Sequence, residues 1–120
     1  MILKDNFFTI KSQEITDKKA DFRIKLNAES FVYQAHFPNN PITPGVLLIQ
    51  IITELFGSLK GRKFNINTLK SVKFTAPINP MEFPEVDFSL DFSENECLCH
   101  VKAVIFETKT VFAKISMVLA

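Results

Sequence analysis

Glycine is scarce: the 120-residue chain contains 3. With so few positions free of a Cβ, long flexible loops are not expected. Cysteine is nearly absent as well. Cys97 and Cys99 are the two thiols, and on a strand they would point to the same side. Neighbours at that spacing rarely close a disulfide, and there is no third cysteine to pair with either. Even with His100 beside them they fall short of a metal's ligand set. These counts exclude a disulfide framework and predict structural thiols in a reducing cytoplasm. An excess of either charge is missing too, because 14 Lys and Arg oppose 13 Asp and Glu for a net +1. No broad basic field therefore argues for nucleic acid or an anionic membrane. Charges interleave, as in Asp17-Lys18-Lys19-Ala20-Asp21, which reads as a solvated turn. No apolar run approaches the roughly 20 residues of a membrane span. Met1–Asp5 lacks the apolar region of a signal peptide, which adds to the expectation of a cytoplasmic protein.

What is present is an ordinary globular mix, 47% hydrophobic and 22% charged. It fits one domain over residues 1–120 with one core. Period-two alternation dominates. Phe22, Ile24 and Leu26 oppose Asp21, Arg23, Lys25 and Asn27, and Val72, Phe74 and Ala76 oppose Ser71, Lys73 and Thr75. Phe88, Leu90 and Phe92 alternate with Asp87, Ser89 and Asp91, and Val111, Ala113, Ile115, Met117 and Leu119 form a final stripe. Such patterns predict half-buried antiparallel strands. Residues 98–106 and 7–15 supply two more. One helix is predicted from Gly45 to about Gly57. Val46, Leu47, Leu48, Ile49, Ile51, Ile52, Leu55 and Phe56 make it apolar on nearly every side, so protein must enclose it. The expected fold class is α+β, a curved antiparallel sheet of five or six strands around one central buried helix. One helix cannot cover both faces of such a sheet, and a free edge remains. A second copy paired on that edge is expected to give a homodimer.

The densest chemistry lies in His36-Phe37-Pro38-Asn39-Asn40-Pro41-Ile42-Thr43-Pro44-Gly45-Val46-Leu47. A histidine, neutral yet basic near pH 7, sits beside a turn stiffened by three prolines. The turn feeds a helix whose first N–H groups lack internal partners and carry partial positive charge. A base beside such donors suits removal of a proton next to a polarised carbonyl.

The pattern His-Phe-Pro-x-x-Pro-x-x-Pro-Gly-Val-Leu resembles the signature of hotdog-fold 3-hydroxyacyl-[acyl-carrier-protein] dehydratases. Asn27-Ala28-Glu29-Ser30-Phe31 precedes the histidine as a similar stretch does in that family. Val72-Lys73-Phe74-Thr75-Ala76-Pro77-Ile78-Asn79-Pro80 resembles its second motif, with Met81-Glu82 in place of the usual Gly-Asp. The resemblance implies a hotdog fold and elimination of water from a 3-hydroxyacyl thioester, giving the trans-2-enoyl thioester in fatty-acid or related acyl-chain biosynthesis. It implies His36 as base, with Gly45 and Val46 donating N–H groups to the thioester oxygen. Phe37, Pro44 and Leu47 would line the substrate pocket. The catalytic acid falls at Gln50, and one turn on, where the family often carries Gln, stands Glu54. Glu54 is the candidate to supply the acid from the same helix face, across the dimer from His36. No cofactor or metal is implied. The expected partners are an acyl carrier protein and a second copy, with hexamers as a further assembly. Two other readings belong to different classes: a non-catalytic acyl-binding or partner subunit without the acid, and a hotdog acyl-thioesterase.

Overall fold

The computed structural model describes residues 3–35 and 41–120. Among them are six strands: β1 (Phe8–Ile15), β2 (Lys19–Leu26), β3 (Ile66–Phe74), β4 (Glu85–Asn95), β5 (Leu98–Glu107) and β6 (Thr110–Leu119). Two helices, α1 (Phe31–Ala35) and α2 (Gly45–Lys60), lie between β2 and β3. The strands form one sheet in the order β1-β2-β4-β5-β6-β3, antiparallel throughout. The alternation seen in the sequence sets which side chains share a face. Phe22, Phe88 and Ile105 stand side by side across β2, β4 and β5, as do Ala20, Leu90 and Ala103, and all six are buried. Against this face packs α2, through Leu48, Ile51, Ile52, Leu55 and Phe56, in a single apolar core. Phe56 sits edge-on to Phe92, 5.3 Å between ring centres. Each fully buried Leu, Ile or Phe contributes about 1.5–3 kcal/mol by leaving water.

Helix α2 runs one turn beyond its expected stop. Gly61, at φ 71°, ends it, donating its N–H to the Gly57 carbonyl at 2.8 Å. Only a left-handed residue closes a helix this way, which suits glycine. Gly57 is glycine for a different reason: a Cβ there would lie 2.8 Å from the Arg62 carbonyl oxygen. The expected enclosure of α2 is also incomplete within one chain, since Val46 is 70% exposed and Leu47, Ile49 and Gln50 are half-buried.

Three further differences have local causes. The two cysteines do not share a strand face, because Glu96 and Cys97 form the two-residue β4–β5 turn with φ of 51° and 68°. Cys97 is therefore exposed at a hairpin tip while Cys99 is buried in β5. Burial, helped by nearby Glu94, raises the Cys99 thiol above its ordinary value. Opposite Ile105 and Phe106 of β5 the β6 register skips Phe112, so Phe112 is buried and Val111 is not. Finally, Val72 and Phe74 do lie on the helix side, paired with buried Ile115 and Ala113, but β3 is an edge. All nine of its residues are exposed.

On the face away from α2, Arg23 joins three strands. Its guanidinium meets Asp87 at 2.9 Å, Glu107 at 2.6 Å and Glu85 at 3.3 Å. Hydrogen bonding to Arg23 holds Glu107 below the ordinary carboxylate range. A carboxylate whose folded value is depressed stabilises fully above its unfolded value, about 4.3 for Glu, and loses that contribution as pH falls through the folded value. These groups are partly exposed, so the contribution is on the order of 1 kcal/mol. Urea unfolding of the native chain should show stability falling between about pH 6 and about pH 3 more steeply than in Arg23→Gln. Equal slopes in the two proteins would refute the assignment.

Candidate functional site

The segment expected to carry the base is anchored on both sides. Before it, Ser30 opens α1 by accepting the Val32 N–H at 3.3 Å, and Asn27 accepts the Glu29 N–H at 3.1 Å. Helix α1 places the Tyr33 ring in the core, stacked on Phe7 at 5.3 Å. After it, Thr43 is buried, and its hydroxyl donates to the Ile78 carbonyl at 3.1 Å. A hydroxyl has one proton to give. The 2.9 Å contact between Tyr33 and Thr43 therefore has Tyr33 O–H donating to Thr43 Oγ1. Burial pushes the Tyr33 hydroxyl up to about 12, so it keeps that proton. The chain Tyr33 to Thr43 to Ile78 ties together the two ends of the stretch that includes His36. His36 and Phe37 themselves lie outside the described residues. Tyr33→Phe removes one buried hydrogen bond and should cost about 1 kcal/mol of stability. Chemical denaturation checks this, and an unchanged midpoint would show that the link contributes nothing.

Pro44 precedes α2 in an extended conformation, and no side chain caps the helix among the described residues. The first helical bonds run from Leu47 and Leu48 N–H to the Pro44 carbonyl, at 3.0 and 3.3 Å. The N–H groups of Gly45 and Val46 precede them, as the first turn of any helix requires. Beside Gly45 lies a surface cleft of about 360 Å³, lined in part by Thr43, Leu48, Phe74 and Ile78. The Phe74 ring lies on Gly45 so closely that a Cβ would sit 2.5 Å from its tip. A Cβ at 45 would therefore have to displace the half-exposed Phe74 ring on the edge strand.

Gln50 and Glu54 line a different groove, of about 410 Å³, shared with Thr53, Gly57, Arg62 and Phe64. Five helical residues separate Gly45 from Gln50, which turns them about 140° apart around the axis. A single chain does not bring the amide donors and Gln50 into one cleft. Glu54 is 4% exposed. Its carboxylate accepts the Leu3 N–H at 3.0 and 3.1 Å, the Lys4 N–H at 2.9 Å and the Gln50 amide at 2.8 Å. The family resemblance offered Glu54 as the supplier of the acid. Instead it holds the N-terminal turn, in which Asn6 and Phe7 N–H groups bond back to Leu3, onto α2. Proton donation by Glu54 does not fit a carboxylate already accepting from three N–H groups. A carboxylate only accepts, so Gln50 faces it with Nε2 and turns its carbonyl Oε1 away. No sequence pattern announced this contact, since Leu3 and Glu54 are 51 positions apart.

Among the described residues no group of three His, Cys, Asp or Glu stands close enough to hold a metal ion. No helix among them is long and apolar enough to cross a membrane.

An antiparallel sheet packed on one long helix is the hotdog fold, and solved structures agree. The dehydratase heterocomplex ApeI:P from Xenorhabdus doucetiae superposes with a TM-score of 0.73 at 18% identity, covering 92% of this chain and 96% of that one. The (R)-hydratase from A. caviae involved in PHA biosynthesis gives 0.63 at 16% identity, with 90% and 98% coverage. The model of the ApeI-like family, described as ApeI dehydratase, matches residues 12–114. The chain belongs to this family of hotdog dehydratases. It is 31% identical over 98 residues to 3-hydroxyacyl-[acyl-carrier-protein] dehydratase FabZ of Brucella melitensis, a match covering 71% of this chain and 62% of the relative. The FabZ of Latilactobacillus sakei is 26% identical over 98 residues, covering 76% and 67%. The chain thus spans about two thirds of the length of the curated relatives it matches.

Proposed function

We propose that the chain eliminates water from a 3-hydroxyacyl thioester carried on an acyl carrier protein, giving the trans-2-enoyl thioester, in the cytoplasm. In this reading His36 takes the C2 proton. Gly45 and Val46 N–H groups polarise the thioester oxygen as negative charge develops on it. Phe37, Pro44 and Leu47 border the acyl chain. Gln50 holds the departing hydroxyl or the water it becomes, and Glu54 fixes the Gln50 amide rather than donating a proton. The observation that carries the reading is the uncapped start of α2 at Gly45, opening beside a cleft in a chain of dehydratase ancestry.

The pairing of two copies is part of the proposal. Edge strand β3 exposes Ile66, Leu69, Val72 and Phe74 by 38–51%. An unpaired apolar edge favours another strand, and a second copy would bring its Gln50 to the first copy's His36. The test is to mix purified chain with 3-hydroxyacyl thioesters of several lengths, on a carrier protein and as small-molecule thioesters, and to follow the conjugated enoyl product by ultraviolet absorption. No product at high protein concentration would overturn the reading. Release of free thiol without enoyl product would point to thioester hydrolysis instead. The neutral amide at 50 favours a second reading, an acyl-binding subunit whose carboxylic acid comes from a different hotdog chain. Activity appearing only on addition of such a chain would establish it.

A further inference from the structure

The groove that Gln50 lines extends well past the place where a hydroxyl would be held. It encloses about 410 Å³. On its helix side Gln50, Thr53, Gly57, Ser58 and the capping Gly61 follow one another three or four residues apart, so they share one face of α2. From Gln50 to Gly61 that face is roughly 16 Å long. Its chemistry changes along the way. The Gln50 amide and the Glu54 carboxylate stand at one end. In the middle, Thr53 spends its hydroxyl on the Ile49 carbonyl at 3.0 Å, Gly57 has no side chain, and the buried Phe64 ring forms the opposing wall. Arg62 and Lys63 occupy the far end. The Arg62 guanidinium is held in place, lying 3.7 Å from the centre of the Phe64 ring and donating from Nη1 to the Lys63 carbonyl at 3.2 Å. Among the described residues neither Arg62 nor Lys63 forms an ion pair. Glu94, in the adjoining cleft, is taken by Lys60 at 2.9 Å, and Glu96 lines that cleft with Arg62 without an ion pair to it.

A molecule with a hydroxyl at one end, hydrocarbon in the middle and an anion at the other end matches this order of groups. We infer that the groove selects a 3-hydroxyacyl group whose far end bears a carboxylate, received by Arg62 and Lys63; this rests on the dehydratase reading above, in which Gln50 holds the hydroxyl. The guanidinium fork offers two N–H groups to the two oxygens of a carboxylate, and stacking on Phe64 fixes it before the ligand arrives. A chain ending in a methyl group gains nothing from either cation. It also lacks its usual walls, because no Leu, Ile or Val is among the described residues lining the groove. Glu54 sets the direction. A second carboxylate beside it would be repelled, whereas Arg62 lies eight residues further along, roughly 12 Å. The hydroxyl end therefore lies at Gln50 and the anion at Arg62. The length suits an extended chain of about twelve carbons. Gln50, Arg62 and Lys63 belong to one chain, so the copy that supplies the amide also supplies the far end of the groove.

The experiment uses twelve-carbon 3-hydroxyacyl thioesters of N-acetylcysteamine that differ only at the far end: carboxylate, its neutral isostere carboxamide, or methyl. Turnover gives KM for each. Calorimetry with the corresponding amides, in which nitrogen replaces the thioester sulfur, reads binding without reaction. Native chain should show a KM and a dissociation constant about tenfold lower for the carboxylate than for the carboxamide, and added salt should narrow that ratio. Arg62→Gln/Lys63→Gln should erase it, while Lys11→Gln/Lys25→Gln, on the opposite half of the sheet, should keep it. Arg62→Gln also gives up stacking on Phe64, so exposed Lys63→Gln is tested alone and should lose part of the ratio at an unchanged urea midpoint. Gly61→Asn keeps the left-handed turn but adds a side chain beside the groove, where a Cβ has open space. It should weaken all three long chains relative to 3-hydroxybutyryl. Equal affinities for carboxylate and carboxamide in native chain, a ratio that survives the Arg62/Lys63 change, or a ratio lost in the Lys11/Lys25 control would each overturn the inference. Should native chain turn over none of the thioesters, the dehydratase reading fails, while calorimetry still decides what the groove selects.

Discussion

Gln50→Glu is expected to dehydrate a 3-hydroxyacyl thioester about 10²- to 10⁴-fold faster than the native chain, the usual contribution of a positioned acid. The variant places a second carboxyl where the Gln50 amide now meets Glu54, at 2.8 Å. Two carboxyls that close cannot both ionise readily, so the pair retains a proton to higher pH than either alone. The Glu54 oxygens are already taken by the Leu3 and Lys4 N–H groups, so the carboxyl free to meet a substrate hydroxyl in the groove is the one at residue 50. A rise in kcat with little change in KM would mark a gain confined to the transition state. Adding His36→Ala to the variant should remove the gain, because an acid without its base leaves the C2 proton in place. An unchanged rate in Gln50→Glu would show that residue 50 does not reach the reacting hydroxyl, and the site assignment would fall with it.

Glu54→Ala is expected to cost roughly 3 kcal/mol of stability, from the loss of several hydrogen bonds to a buried charged group. Two backbone N–H groups, on Leu3 and Lys4, lose their acceptor, and the Gln50 amide loses the contact that orients it. Glu54→Gln keeps an acceptor oxygen but sets an amide against three N–H donors, so it should fall between native and Ala. Urea unfolding reads the stability. Faster protease cleavage ahead of β1 in Glu54→Ala would report the N-terminal turn coming free of α2. If Glu54→Ala instead left stability intact and abolished turnover, Glu54 would be a proton donor after all, and the clamp described here would be incidental.

Much of this molecule is local physics and was legible as such. Strand alternation in residues 22–26 and 88–92 follows from the two-residue period of an extended chain, and a sheet buried on one face allows no other register. The apolar run after Pro44-Gly45 announced the helix that packs on the sheet, and the proline motif around His36 resembled that of the hotdog dehydratases, the family to which the chain belongs. The end of that helix was misplaced because two glycines with different duties look alike in a sequence: Gly57 makes room for a carbonyl, while Gly61 takes the left-handed turn. Only the fold decided three things. It put the Leu3 amide against Glu54, a contact between distant positions that no periodicity encodes. It left β3 on an edge, so that residues patterned for burial stand exposed. It also set Lys73 opposite Lys114 and Arg23 beside Asp87 and Glu107, since cross-strand register, not order along the chain, determines which charges become neighbours.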